Sequence, residues 1–393
     1  VNRPLRVLSL STLYPHDHAP NFGVFVARQM EATAARGDID LTLVSPLGLP
    51  PFPLSLHPRY RDLRSLPKQE LRNKVQVFRP RFALLPKVGA HFNAGAIVRA
   101  VLPLARRLHT EQPFDLVDAQ FFHPDGLAAV RIGATLGLPV SIKARGADIQ
   151  FWGLQPGTAD QVRNAGLGAT GLLAVSAGLV DDMSALGIPR DKITVHRTGL
   201  DTDLFRLYDR RMCRDQLGLP RDRPVLATVG ALIPRKGQAF VIEALAQLPD
   251  AILLLAGKGD DEARLRALAA RLGVADRVRF MGAVPHGELP ILLNAADVFV
   301  LPSSSEGLAN AWVEALACGT PVVTTPIPGA QELITDPSWG RLAARDSAVI
   351  ADAVREVLAA RPLPETVQQA VSGMSWQANA EALALHWRKL VGA

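Results

Sequence analysis

Short apolar runs alternate with helix-forming stretches from one end of this 393-residue chain to the other. The runs fall at 5–10, 41–44, 75–78, 116–117, 140–142, 172–175 and 193–195, then at 225–229, 252–255, 278–281, 298–301 and 322–324. They are rich in Val, Ile and Leu and are bounded by Gly and Pro, as strands buried on both faces are. Helical stretches lie between most of them: 23–35, 92–109, 126–136 and 177–186, then 237–247, 260–272, 287–296, 310–317 and 346–359, with a last helix over 375–391. Such alternation builds parallel sheets covered by helices. The chain is too long for one ordinary sheet and comfortable for two. The expectation is an α/β protein with two Rossmann-like, doubly wound domains facing across a cleft. The polar stretch Thr198-Gly199-Leu200-Asp201-Thr202-Asp203 separates the two series and places the linker at about 199–208. The Pro- and Arg-rich segment 50–74 breaks the pattern and reads as a mobile surface loop.

Hydrophobic residues make up 48% of the chain and charged residues 20%, which excludes a disordered tract. No apolar run approaches the ~20 residues that span a bilayer. Residues 5–10 are too short for a signal-peptide core and read as the first buried strand. Two cysteines, Cys213 and Cys318, give no disulfide framework and no metal-ligand spacing, which points to a reducing cytoplasm. The net charge of +6 is uneven: residues 59–107 hold 12 basic and 2 acidic side chains. That patch suits an anionic membrane surface or a phosphorylated lipid, or is simply a solvated basic face. It lacks aromatic interleaving, so nucleic acid is not an expected partner.

In doubly wound sheets ligands bind beyond the C-terminal ends of the strands, so the loops after strands carry the chemistry. After 225–229 comes Gly230-Ala231-Leu232-Ile233-Pro234-Arg235-Lys236-Gly237. Arg235 and Lys236 ahead of a helix suit a diphosphate, the first as a fork and the second as a point charge. After 252–255 comes Gly257-Lys258-Gly259, where Gly257 would let a nucleotide approach; Glu262 breaks a full dinucleotide fingerprint. After 298–301 come Glu306-Gly307-Leu308-Ala309-Asn310 and a helix carrying Glu314. The free amides of Leu308, Ala309 and Asn310 would form an anion site. The carboxylates of Glu306 and Glu314 repel phosphate and make sense as acceptors for sugar or ribose hydroxyls. Asp260-Asp261 reads as helix-capping acids, so no metal is expected.

These residues resemble the donor domain of the family 4 retaining glycosyltransferases of the GT-B fold, with Gly230, Arg235-Lys236-Gly237, Gly257-Lys258-Gly259 and Glu306 to Glu314 carrying the likeness. The first half resembles the family more loosely, and most of all its bacterial surface-polysaccharide members. There the likeness lies in Asn21-Phe22-Gly23-Val24-Phe25-Val26, Phe122-His123-Pro124-Asp125-Gly126 and Ala144-Arg145-Gly146-Ala147-Asp148. Thr198 stands where the family usually has Asn. The resemblance implies an acceptor-binding domain over 1–203, joined by a returning helix at 375–393, and a sugar-nucleotide donor domain over 204–374. It implies catalytic roles for His123 and Glu306, with His123 against the donor sugar and Glu306 on its hydroxyls. Gly23, Arg235, Lys236, Leu308, Ala309 and Asn310 would serve the donor diphosphate. Gly230, Gly257 and Glu314 would serve the nucleotide, with Glu314 on the ribose, while Arg145 and Asp148 line the acceptor side. The implied reaction moves a hexose-type sugar from a UDP- or GDP-sugar to a saccharide or lipid-linked acceptor, without a cofactor or metal. The implied location is cytoplasmic, peripheral on the inner face of the membrane. Retention by front-face attack needs no side-chain nucleophile, and Asp125 is the best base if a base is used. The alternatives are a non-catalytic sugar-nucleotide-binding protein, a nucleotide-sugar epimerase or phosphorylase of the same fold, and an NAD-dependent oxidoreductase. Trp152 and Trp339 read as packing residues.

Overall fold

The computed structural model describes residues 3–20, 22–86 and 89–392, with only the backbone at Arg59. Asn21, which opens the expected glycine loop, lies outside the described residues, as does Lys87 of the basic patch. The chain divides into two compact units, Val1–Gly199 with Trp376–Ala393, and Leu200–Ser375. The change of unit comes at 199/200, four residues earlier than the expected boundary. Leu200 is the reason: it is buried in the core of the second unit and bridges to Ser375.

The first unit is built on an eight-stranded sheet. Its strands, with a separate pair, are β1 (Leu5–Leu10), β2 (Ile39–Val44), β3 (Leu47–Leu49), β4 (Gln69–Arg72), β5 (Val75–Phe78), β6 (Arg81–Ala83), β7 (Leu116–Ala119), β8 (Val140–Ala144), β9 (Gly171–Ala174) and β10 (Ile193–Val195). The order is β10-β9-β8-β7-β1-β2-β5-β4, parallel except for β4, with β3 and β6 paired apart. The segment 50–74 is not a loop: it holds the helix Pro58–Ser65 and the edge strand β4. β4 alternates exposed and half-buried residues, so it carries no apolar run by which to recognise it. The last helix, Trp376–Val391, packs on the helix Val24–Ala35 and buries Leu383 and Trp387 in this unit's core.

The second unit is a six-stranded, wholly parallel sheet: β11 (Val225–Val229), β12 (Ile252–Ala256), β13 (Val278–Gly282), β14 (Val298–Val300), β15 (Val322–Thr324) and β16 (Gly340–Leu342). Its order is β13-β12-β11-β14-β15-β16, the arrangement of a dinucleotide-binding fold. Apolar clusters cover both faces, one around Trp312 and Phe299, the other around Ile242 and Leu253. β16 and the helices Ala159–Gly168, Arg210–Gln216, Pro328–Leu333 and Pro364–Gln368 were not legible as periodic segments, and most are too short to display a period. Among the described residues no helix is long and apolar enough to cross a membrane.

Candidate active site

The parallel strands of each sheet reverse their order once, and the crevice at that reversal is where such sheets hold ligands. In the second unit the reversal lies between β11 and β14. The loops after those two strands carry Arg235-Lys236 and Glu306. The fold joins them directly: Lys236 Nζ donates to Glu306 Oε1 at 2.6 Å and Arg235 Nη1 to the same oxygen at 3.0 Å. Two cations meeting one carboxylate form a charge-assisted cluster, with 12% of the Glu306 side chain exposed. Arg345, which the sequence did not flag, fixes the loops. Its Nε donates to Pro302 O at 3.0 Å, and its Nη2 reaches the carbonyls of Arg235 and Pro234. Gly237 is required here: its φ is 76°, and a Cβ would collide with Pro302 O.

Glu306 is followed by the helix Asn310–Ala317, capped at Ala309 without a side-chain hydrogen bond. The amides of Asn310 and Ala311 lie ahead of the first bond of the helix, Trp312 N–H to Ala309 O at 3.1 Å, the state in which a helix end takes an anion. Glu314, inside that helix, accepts from His286 Nε2 at 3.0 Å, and the His286 ring lies edge-on to Phe205 with centroids 5.0 Å apart. His286 is a further site residue that sequence reasoning passed over, because it sits in a polar turn 28 residues from its partner.

Gly230 and Gly257, expected to face a nucleotide, also have a packing role. Gly230 N–H donates to Ala256 O at 3.0 Å and Gly257 N–H to Gly282 O at 2.7 Å. A Cβ on Gly257 would overlap Gly230 O. The glycines let the two loops touch, and their own amides are already engaged.

In the first unit the reversal lies between β1 and β7. Gly23, with φ 67°, caps the helix Val24–Ala35, where its carbonyl accepts from Val26 and Ala27. The loop after β7 carries His123 and Asp125. His123 is buried, its ring 5.0 Å from Trp152 and its Nδ1 without a hydrogen-bond partner among the described residues. Burial, aided by His91, lowers its pKa to about 4, so the ring is neutral at pH 7. Asp125 is also buried. Its Oδ2 accepts from Thr12 N–H at 2.8 Å and Thr12 Oγ1 at 3.1 Å, while Oδ1 has no partner among the described residues. Burial outweighs those hydrogen bonds and raises its pKa to about 7.

Asp148 does not present its carboxylate outward. It accepts from the backbone amides of Phe122 at 3.1 Å, Arg145 at 3.0 Å and Gly146 at 2.9 Å, and so ties the loop before His123 to the loop after β8. Arg145 is half-buried. Its Nε donates to Gln120 O at 2.9 Å, its Nη2 to Gln29 Oε1 at 3.3 Å and to Gln120 Oε1, and it lies over the Phe25 ring. Behind it Lys143 Nζ reaches Gln29 Oε1 at 2.9 Å and His196 Nδ1 at 2.7 Å, while His196 Nε2 faces Asn379 O at 2.9 Å. A carbonyl can only accept, so Nε2 carries the proton and Nδ1 accepts from Lys143. Burial and the neighbouring Arg145 push the Lys143 ammonium well below the usual lysine range. The network extends through Gln120 to Asp118, which also accepts from Ser9 Oγ at 2.8 Å and Trp387 Nε1 at 3.2 Å. The returning helix is thereby bonded to the floor of this crevice.

Fold and loop geometry together define a two-domain α/β protein of the nucleotide-binding kind. Residues 23–204 match the family described as Glycosyltransferase Family 4, and residues 209–373 match Glycosyl transferases group 1. The chain belongs to the family 4 glycosyltransferases. It is similar to the D-inositol 3-phosphate glycosyltransferase of Mycobacterium tuberculosis, 34% identical over 222 residues, which cover 53% of this chain and 46% of the relative. The match thus spans about half the length of that curated relative. Among solved structures, sucrose-phosphate synthase from Thermosynechococcus elongatus superposes with a TM-score of 0.80 at 21% identity, covering 99% of each chain. HepE from Anabaena, in complex with UDP, gives 0.76 at 20% identity over 97% of this chain and 99% of that one. WaaG, a glycosyltransferase involved in lipopolysaccharide biosynthesis, gives 0.71 at 17% identity over 99% and 100%.

Proposed function

We propose that the chain is a retaining glycosyltransferase. It moves a hexose-type sugar from a nucleotide-diphosphate sugar to a saccharide or lipid-linked acceptor, in surface polysaccharide synthesis. The carrying observation is the Arg235–Glu306–Lys236 cluster followed by the helix N-terminus at Asn310, at the reversal of the second sheet. When the bond between the sugar carbon and the diphosphate oxygen breaks, negative charge grows on the diphosphate. Arg235, Lys236 and the amides of Leu308, Ala309 and Asn310 are the groups that meet it. Glu306 then accepts from sugar hydroxyls and Glu314 from the ribose. The acceptor oxygen forms the new bond on the face the diphosphate leaves, and its proton passes to a leaving phosphate oxygen or to Asp125. The neutral His123 ring has Nδ1 free to contact the reacting sugar. A solved relative that holds UDP-glucose makes that donor the first to try. The test supplies UDP- and GDP-sugars with and without saccharide and lipid-linked acceptors and follows nucleotide diphosphate release. Acceptor-dependent release is expected; tight binding of every donor without release would leave a binding protein instead.

Part of the basic patch is internal. Arg79 is buried, pairs with Glu70 at 2.6 Å and donates to Pro15 O at 2.7 Å, and Arg81 is held by backbone carbonyls. Arg61, Arg64, Lys68, Arg99, Arg106 and Arg107 remain exposed, in the same unit as the exposed Phe52, Leu54 and Leu56. We assign this surface to an anionic bilayer. Sedimentation with anionic vesicles is expected at low salt and to fall steeply as salt rises; salt-insensitive or absent binding would return the patch to a solvated face.

A further inference from the structure

The second unit has a cavity at the opposite end of its sheet from the loops that carry Lys236 and Glu306. It is lined by Pro224, Asp297 and Pro321, the residues that immediately precede β11, β14 and β15. Because those strands are parallel, this edge lies a strand length from Lys236 and Glu306, about 15 Å at ~3.3 Å per residue. The cavity measures about 540 Å³, room for a small metabolite and more than a single ion needs.

Its charge is the notable feature. Six arginines line it, Arg210, Arg211, Arg214, Arg221, Arg223 and Arg361, against the two aspartates Asp222 and Asp297. Asp297 is already shared: Arg214 Nη2 lies 2.6 Å from one oxygen and Arg210 Nη1 3.1 Å from the other. Arg221 is paired with Asp215 at 2.6 Å. Among the described residues Arg223 donates only its Nε, to the carbonyl of Asp250 at 2.9 Å. Arg211 and Arg361 are exposed, and no carboxylate is bonded to either among the described residues. Like charges gathered at one cavity repel one another unless an anion neutralises them. Guanidinium groups are, moreover, the side chains that fork onto phosphoryl oxygens.

We propose that this cavity is a second anion site, separate from the donor site, and that it takes a phosphorylated small molecule or headgroup through Arg211, Arg223 and Arg361. Arg210 and Arg214, fixed by Asp297, form its rear wall. The apolar rim of Val357, Leu358 and Leu363 covers the part of the ligand that carries no charge. The site neither needs the glycosyl transfer reading nor supports it.

The test uses the full chain carrying Lys236→Ala, which weakens the donor phosphate grip, and titrates it calorimetrically with inorganic pyrophosphate. One residual saturable site is expected. Adding Arg211→Ala and Arg361→Ala should lower its affinity at least tenfold, with circular dichroism and melting temperature unchanged because both side chains are exposed. Two further arms separate the ligand sources: hexose 6-phosphate in solution, and vesicles containing a phosphatidylinositol phosphate. Competition by the sugar phosphate assigns the site to a soluble metabolite; vesicle binding lost on Arg211→Ala and Arg361→Ala assigns it to a lipid headgroup. Absence of pyrophosphate binding in Lys236→Ala, or binding unchanged by the two arginine substitutions, overturns the proposal.

Discussion

Glu306→Gln is expected to lower transfer by about 10²–10³-fold while leaving the affinity for free UDP unchanged or tighter. Without ligand, the carboxylate holds Lys236 Nζ at 2.6 Å and Arg235 Nη1 at 3.0 Å. A diphosphate must therefore draw both cations partly away from Glu306. Removing its charge removes that competition, so free UDP, which has no sugar for Glu306 to hold, loses nothing. The sugar nucleotide loses a charged acceptor for its hydroxyls as the transition state forms. Lys236→Ala should behave differently, because the lysine contacts phosphate in both ligands. Loss of one charge-assisted contact, about 1.5–3 kcal/mol, should weaken UDP binding on the order of ten- to a hundredfold and slow transfer as well. Calorimetric titration with UDP and initial rates on the two variants separate the roles. If Glu306→Gln weakens UDP as much as Lys236→Ala does, Glu306 serves the diphosphate grip and the sugar role is lost.

The loops after β11 and β14 were legible because each is contiguous and each follows a strand that is itself a continuous apolar run. The strand says where the loop emerges, and Arg235-Lys236 or Glu306-Gly307 says what it carries. What escaped notice joins residues far apart in sequence. Arg345 after β16 looks like a surface cation until its guanidinium is seen binding the carbonyls of residues 234, 235 and 302. Nothing near Lys143 announces that it will be buried against His196 and Gln29. The glycines show the opposite difficulty. A Gly after a strand suggests room for a ligand, yet at Gly257 the demand comes from the neighbouring loop's carbonyl. The family resemblance places Asp148 on the acceptor side. Its oxygens are instead occupied by three backbone amides, which makes it a positioning residue for the His123 loop.

Asp125→Asn should separate stability from function through pH. In the unfolded chain this carboxyl titrates near 3.9, whereas burial, with Asp148 nearby, raises it to about 7 in the folded protein. Below about pH 4 both states hold the proton, and above about pH 7 neither does. Between those limits the folded state binds a proton that the unfolded state has released. Stability therefore falls as pH rises through that window, by ~4 kcal/mol if the whole shift is realised. The amide that replaces the carboxyl does not titrate, and its oxygen can keep the bonds from Thr12 N–H and Oγ1. Relative to wild type, the variant should gain about 2–3 kcal/mol between about pH 5 and pH 8, measured by denaturant unfolding at both values. Curves that stay parallel across that range would mean that Asp125 is ionised in the folded protein throughout. Activity should move the other way. A buried carboxylate with an unpartnered oxygen and a pKa near neutrality suits proton transfer from an acceptor hydroxyl. Wild-type kcat/KM should then rise with pH through about 7, and Asp125→Asn should remove that limb along with most of the rate. A variant more stable at pH 8, slower, and without the pH limb assigns the proton to Asp125; one that keeps the limb leaves the proton with the departing phosphate.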